Sequence, residues 1–96
     1  MITRKIINVK VSRPALKQLK KVPIYIALKL EAWIEDVGNR GLDEVKKIPG
    51  YHDEPLKGKR LGQRSIRLNN AYRAIYVLKR GNVVFVEVLE VNKHEY

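Results

Sequence analysis

The chain contains no cysteine, which excludes disulfides, thiolate nucleophiles and cysteine-bound metals. It has only two histidines, His52 and His94, too few donors for a metal site built on nitrogen and sulfur ligands. No cofactor or metal is therefore expected. No apolar run approaches the roughly 18 residues that a membrane span requires, and Met1 to Lys5 does not lead into the apolar region of a signal peptide. These absences fit a soluble cytoplasmic protein without a membrane partner. The phosphate-cradling glycine loops of nucleotide-binding proteins and the serine nucleophile motifs are missing as well.

Acid is the other scarcity. Ten Asp and Glu face twenty Lys and Arg, for a net charge of +10. No acid precedes Glu31 and none lies between Glu54 and Glu87, so the segment from Lys57 to Arg80 is basic throughout. A field of one sign attracts polyanions and accelerates their association, and the first candidate partner is a nucleic acid. The plainer alternatives are a solubility surface or a docking face for an acidic protein.

At 96 residues the sequence has room for one domain, residues 1–96. Its 45% hydrophobic content fits a folded chain. Lys5–Val11 is β-branched and roughly alternating, as in an edge strand. Ser12 is placed to cap a first helix with Pro14 in its first turn. Pro23 opens a second, in which Ile26, Leu30, Trp33 and Val37 form a core-facing stripe. Gly38 or Gly41 ends it. Leu42–Ile48 reads as a short helix or turn, and Tyr51–Gly62, with Pro55, Gly58 and Gly62, as a loop. Three strands follow, at about Gln63–Leu68, Tyr72–Lys79 and Asn82–Val91, joined by turns at Asn69-Asn70-Ala71 and Arg80-Gly81-Asn82. The expected fold is α+β: an N-terminal strand, two helices, then an antiparallel three-strand meander, with the helices packed on one face of the sheet.

Several residues are candidates for chemistry. A three-residue turn after Leu68 places Arg67 opposite Arg73, a repulsive pair that suits a bound phosphate diester; the alternatives are that the two point apart into solvent, or that a two-residue turn separates them. His94 is of the type best suited to proton transfer near neutral pH, although a lone tail histidine is more often a solvated bystander. His52 reads as a bystander in its loop. Glu54, at the edge of the basic segment, is either a proton acceptor or a salt-bridge partner.

The segment Glu54–Tyr76 (EPLKGKRLGQRSIRLNNAYRAIY) and the ending Glu90–Tyr96 (EVNKHEY), in this element order, resemble the RelE/YoeB/HigB group of the RelE/ParE toxin superfamily. The resemblance implies a toxin of a type II toxin–antitoxin pair, a metal-independent endoribonuclease that cuts mRNA in the ribosomal A site. The 2′-hydroxyl attacks the adjacent phosphate, and the protein supplies a base, charge stabilisation and an acid. By the same resemblance Glu54 is the carboxylate, Lys57 its accompanying cation, Arg67 a basic residue of the second strand and Arg73 the phosphate-binding arginine. His94 and Tyr96 are the C-terminal proton-transfer and stacking or orienting groups. Lys57, Lys59, Arg60, Arg64 and Lys93 are expected to contact RNA or ribosome. The sequence departs from the pattern at Glu95, which separates His94 from Tyr96, and at Ser65, where RelE has a basic residue. Glu54 as base with His94 as acid, and His94 acting with Tyr96, both remain open. The implied partners are mRNA, the ribosome and a cognate antitoxin with an acidic segment, with operator DNA reached only through the antitoxin. The competing functions are inhibition of DNA gyrase in the manner of ParE, which shares the fold, and a non-catalytic RNA-binding module.

Overall fold

The computed structural model describes residues 5–93; His94 and Tyr96 lie outside the described residues. The chain runs β1 (Val9–Val11), α1 (Arg13–Leu19), α2 (Ile24–Arg40), α3 (Leu42–Val45), β2 (Glu54–Pro55), β3 (Gln63–Arg67), β4 (Tyr72–Arg80) and β5 (Val84–Lys93). The five strands form one sheet in the order β1-β5-β4-β3-β2.

β1 is an edge strand, shorter than the Lys5–Val11 expected. It runs parallel to β5, with Val9 opposite Val86. Carried backward, that register sets Ile7 level with Val84, where β5 begins, so earlier residues have no strand to pair with. The Ile6 carbonyl accepts instead from the Leu42 amide, at 2.9 Å. At the other edge, β2 replaces part of the expected loop. Its two residues pair antiparallel with β3, Glu54 opposite Ser65 and Pro55 opposite Arg64. The sheet is therefore mixed and five-stranded, with the expected meander β3–β4–β5 at its centre.

The helices begin and end where their capping residues dictate. The Ser12 hydroxyl accepts from the Ala15 amide at 3.2 Å, satisfying one of the free N–H groups of the first turn. α2 ends at Gly41, whose φ of 85° is costly for any residue with a Cβ. Ile26, Leu30, Trp33 and Val37 are buried as one stripe against Ile66, Leu68, Ala74, Tyr76, Val86, Val88 and Val91. These sheet residues all belong to one face, because alternate strand residues point the same way. The Trp33 and Tyr76 rings meet in this core, 5.2 Å apart.

One irregularity decides what the opposite face displays. Between β4 and β5 the register shifts, Ile75 facing Glu90 and Tyr76 facing Val88, so Leu89 is an extra residue. A bulge of this kind reverses the alternation beyond it. Val86 and Val88 enter the core before it and Val91 after it, which leaves Glu90 and Asn92 on the other face. α1 satisfies the backbone groups that the bulge takes out of the ladder. The Ser12 hydroxyl donates to the Leu89 carbonyl at 3.0 Å, and the Gln18 Oε1 accepts from the Val91 amide at 2.7 Å.

Candidate functional site

The face away from the helices carries Ser65 and Arg67 from β3, Arg73 and Ile75 from β4, and Glu90 and Asn92 from β5. Arg67 lies directly opposite Arg73, and Arg73 opposite Asn92. The turn that fixes this register is local chemistry. The Asn69 Oδ1 accepts from the amides of Ala71 and Tyr72, both at 2.7 Å, and the Leu68 amide donates to the Tyr72 carbonyl at 2.9 Å. Asn69-Asn70-Ala71 is thereby held as a three-residue turn.

Beside this turn is a cleft lined by His52, Glu54, Ser65, Arg67, Tyr72 and Arg73 among others. Its volume is about 50 Å³, the scale of an ionic group and not of a drug-sized ligand, which needs about 300–1,000 Å³. Arg67 is exposed and Arg73 half-buried. The two arginines are cross-strand neighbours that both line the cleft, with no carboxylate bonded to either among the described residues. The Nε of Arg73 is buried without a hydrogen-bond acceptor there. A buried donor left unpaired costs about 1–3 kcal/mol, and an anion in the cleft would offset the repulsion of the two like charges.

The third wall is the chain entering β2. Here the Asp53 side chain is 1% exposed and accepts from the Arg64 Nε at 2.6 Å and the Tyr76 hydroxyl at 2.5 Å. Burial, then the bond to Asp53, pushes the Tyr76 hydroxyl pKa well above that of a free tyrosine. Burial opposes the charge on Arg64, but the bond to Asp53 and its negative charge outweigh this and raise its pKa. The network lies on the helix-covered side, and it holds the loop from which His52 and Glu54 line the cleft.

The structure thus brings Glu54, Arg67 and Arg73 together, and adds His52. Lys57 and Lys59 are exposed in the tight turn near Gly58–Arg60. Arg60 reaches back over the cleft face, its Nη2 2.6 Å from Glu90 and its Nη1 donating to the Gln63 Oε1 at 2.9 Å. Gln63 is on β3 and Glu90 on β5, so Arg60 spans β4 on the face where Ile75 is fully buried. Arg64 shares the parity of Ile66 and points to the other face, into the Asp53 network. Lys93 is exposed at the end of β5, opposite Tyr72. Sequence reasoning missed Asp53, Tyr76 and Glu90 as supports of this site. The parity of Arg64 with Ile66 and Leu68 was a signal for the first two; nothing local marked Glu90.

No family model matches the sequence, and no curated protein matches it closely enough to count as a relative. Solved structures do match. The YafQ protein of E. coli strain BL21(DE3) superposes with a TM-score of 0.71 over 91% of this chain and 92% of that one, at 18% identity. A YoeB/ParE toxin from Agrobacterium tumefaciens gives 0.66 over 92% and 99%, also at 18% identity. The toxin–antitoxin complex RelBE2 from Mycobacterium tuberculosis gives 0.65 over 91% and 96%, at 20% identity. The fold is that of the RelE/ParE toxins. The likeness to these toxin folds extends along nearly the whole chain. No described helix is long and apolar enough to cross a membrane.

Proposed function

We propose that this chain is the toxin of a type II toxin–antitoxin pair, and that it cleaves mRNA in the ribosomal A site. The observation that carries the reading is the facing pair Arg67 and Arg73 beside Glu54, with the Arg73 Nε buried and without a partner among the described residues. Two guanidinium forks clamp the scissile phosphodiester and stabilise the charge that grows on its oxygens in the phosphorane-like state. The 2′-hydroxyl attacks phosphorus and the bond to the 5′-oxygen breaks, giving a 2′,3′-cyclic phosphate and a free 5′-hydroxyl. The Glu54 carboxylate takes the 2′-hydroxyl proton, and the His94 imidazolium protonates the 5′-oxygen, with Tyr96 orienting or stacking on a base. No metal is required for this chemistry.

Lys57, Lys59 and Lys93 contribute attraction to RNA phosphates, and Arg60 does so from its position over the cleft face. Lys57→Ala is expected to weaken RNA or ribosome binding in a way that shrinks as salt rises, because a lost phosphate contact reduces the salt slope by about one. Binding measured at several salt concentrations checks this, and equal weakening at all of them contradicts a phosphate contact. The partner that silences the toxin is a cognate antitoxin with an acidic segment, matching the +10 net charge. Arg73→Ala in a translation-dependent cleavage assay tests the function itself.

A further inference from the structure

We propose that His52 is a third donor of the phosphate cradle, setting an imidazole N–H beside the guanidinium groups of Arg67 and Arg73. This rests on the nuclease reading above and deepens it, because the ligand in question is the phosphodiester of single-stranded RNA.

Four observations converge on His52. The first is its place beside the sheet edge. Glu54 pairs with Ser65 and Pro55 with Arg64, so His52, two residues before Glu54, leads the chain onto the edge of β3. Arg67, two residues after Ser65 on that strand, is opposite Arg73. The second is that all three line the same small cleft. The third is the backbone. His52 has φ 46° and is the only residue other than glycine with positive φ among the described residues. A left-handed conformation away from glycine is uncommon and tends to occur where the surroundings enforce it. The fourth is the enforcement itself. Asp53, the next residue, is locked by Arg64 and Tyr76 on the far side of the sheet edge, which fixes the turn that presents His52 to the cleft.

The chemistry of the position follows from its neighbours. A scissile phosphate seated over Arg67 and Arg73 has two non-bridging oxygens, each able to accept more than one hydrogen bond. An imidazole carries an N–H donor in either neutral tautomer and two when protonated. Its N–H on the β2 side completes a three-sided set of donors, and the charge gained at those oxygens in the transition state strengthens every bond in the set. Glu54, on the same wall, is an acceptor and serves the 2′-hydroxyl instead.

The test uses the full chain with His52→Asn and His52→Arg, each checked for folding by thermal unfolding. Asparagine tolerates the left-handed backbone and replaces the imidazole with a shorter amide; arginine restores a long N–H donor. Cleavage of ribosome-bound mRNA should slow on the order of 10-fold in His52→Asn and largely recover in His52→Arg. In parallel, the His52 ring resonances of the wild type, assigned by comparison with His52→Asn, should shift saturably with inorganic phosphate and should not do so in Arg73→Ala. Cleavage at the wild-type rate in His52→Asn overturns the proposal. A loss that His52→Arg does not restore also overturns it, since that pattern belongs to a proton-transfer or purely structural histidine. If the wild type cuts no RNA yet its His52 ring responds to phosphate, the cradle stands and the nuclease reading falls. If neither occurs, both fall.

Discussion

Arg73→Ala is expected to lower the rate of mRNA cleavage by about 10²- to 10³-fold without weakening the fold. Arg73 faces Arg67 across the β3–β4 ladder, and like charges placed directly opposite destabilise a sheet. Removing one of them therefore leaves the melting temperature unchanged or slightly raised, a combination that a structural residue does not give. The buried Nε, without an acceptor among the described residues, points the same way, since truncation removes that donor. Arg73→Lys keeps the charge but loses the planar fork that matches a phosphate, and its activity should fall between alanine and wild type. Single-turnover cleavage on ribosome-bound mRNA, with unfolding followed by circular dichroism, checks both halves. A loss of only a few-fold in Arg73→Ala would make Arg73 a binding contact and remove it from the transition state.

Asp53→Asn is expected to be the most destabilising single-atom change in the cleft wall, at about 2 kcal/mol. Breaking a buried charged pair costs roughly 3–5 kcal/mol, and the figure here is lower because the Arg64 side chain is 31% exposed and regains hydration. For a domain of this size, 2 kcal/mol corresponds to a fall of roughly 8–16 °C in melting temperature. The same network has a pH signature. Burial and the bond to Asp53 raise the Tyr76 pKa above that of the unfolded chain, so folding holds the phenol proton more tightly. Its contribution is complete below the unfolded tyrosine value of about 10 and is lost progressively above it. Tyr76→Phe should flatten that alkaline decline, and Asp53→Asn should lower stability across the neutral range. Thermal unfolding between pH 7 and 11 measures both. Wild-type stability in Asp53→Asn would mean that Asp53 does not anchor the wall.

Much of this site was legible in the sequence. The alternation of Ile66 with Arg67 and of Ala74 with Arg73 set the two arginines opposite each other on condition of a three-residue turn, which the folded Asn69-Asn70-Ala71 supplies. The helix stripe Ile26, Leu30, Trp33 and Val37 was equally plain, because apolar residues at a 3.6-residue period over three turns mark a helix with one buried face. What escaped was short or non-local. β2 has two residues, too few for any periodicity. Asp53 looks like an ordinary loop acid until Tyr76, 23 residues away, is seen to donate to it. The β5 bulge left a trace in Val86-Glu87-Val88-Leu89-Glu90-Val91, where the apolar positions change parity, but its supports are Ser12 and Gln18 at the other end of the chain. Arg60 and Arg64 read as equivalent members of a basic run. Strand parity and two carboxylates separate them, turning Arg64 into the wall and Arg60 across the cleft face. A single loop histidine such as His52 carries no pattern, and only the folded cleft gives it neighbours.

The most direct test of ribosome-dependent mRNA cleavage is to map mRNA 5′ ends in cells after brief induction of the wild type and of folded Arg73→Ala. New 5′ ends within translated codons, present with the wild type and absent with Arg73→Ala, are the predicted result and give the codon preference at once. Growth arrest by the wild type without new 5′ ends would contradict mRNA cleavage and move the target to gyrase or another essential machine.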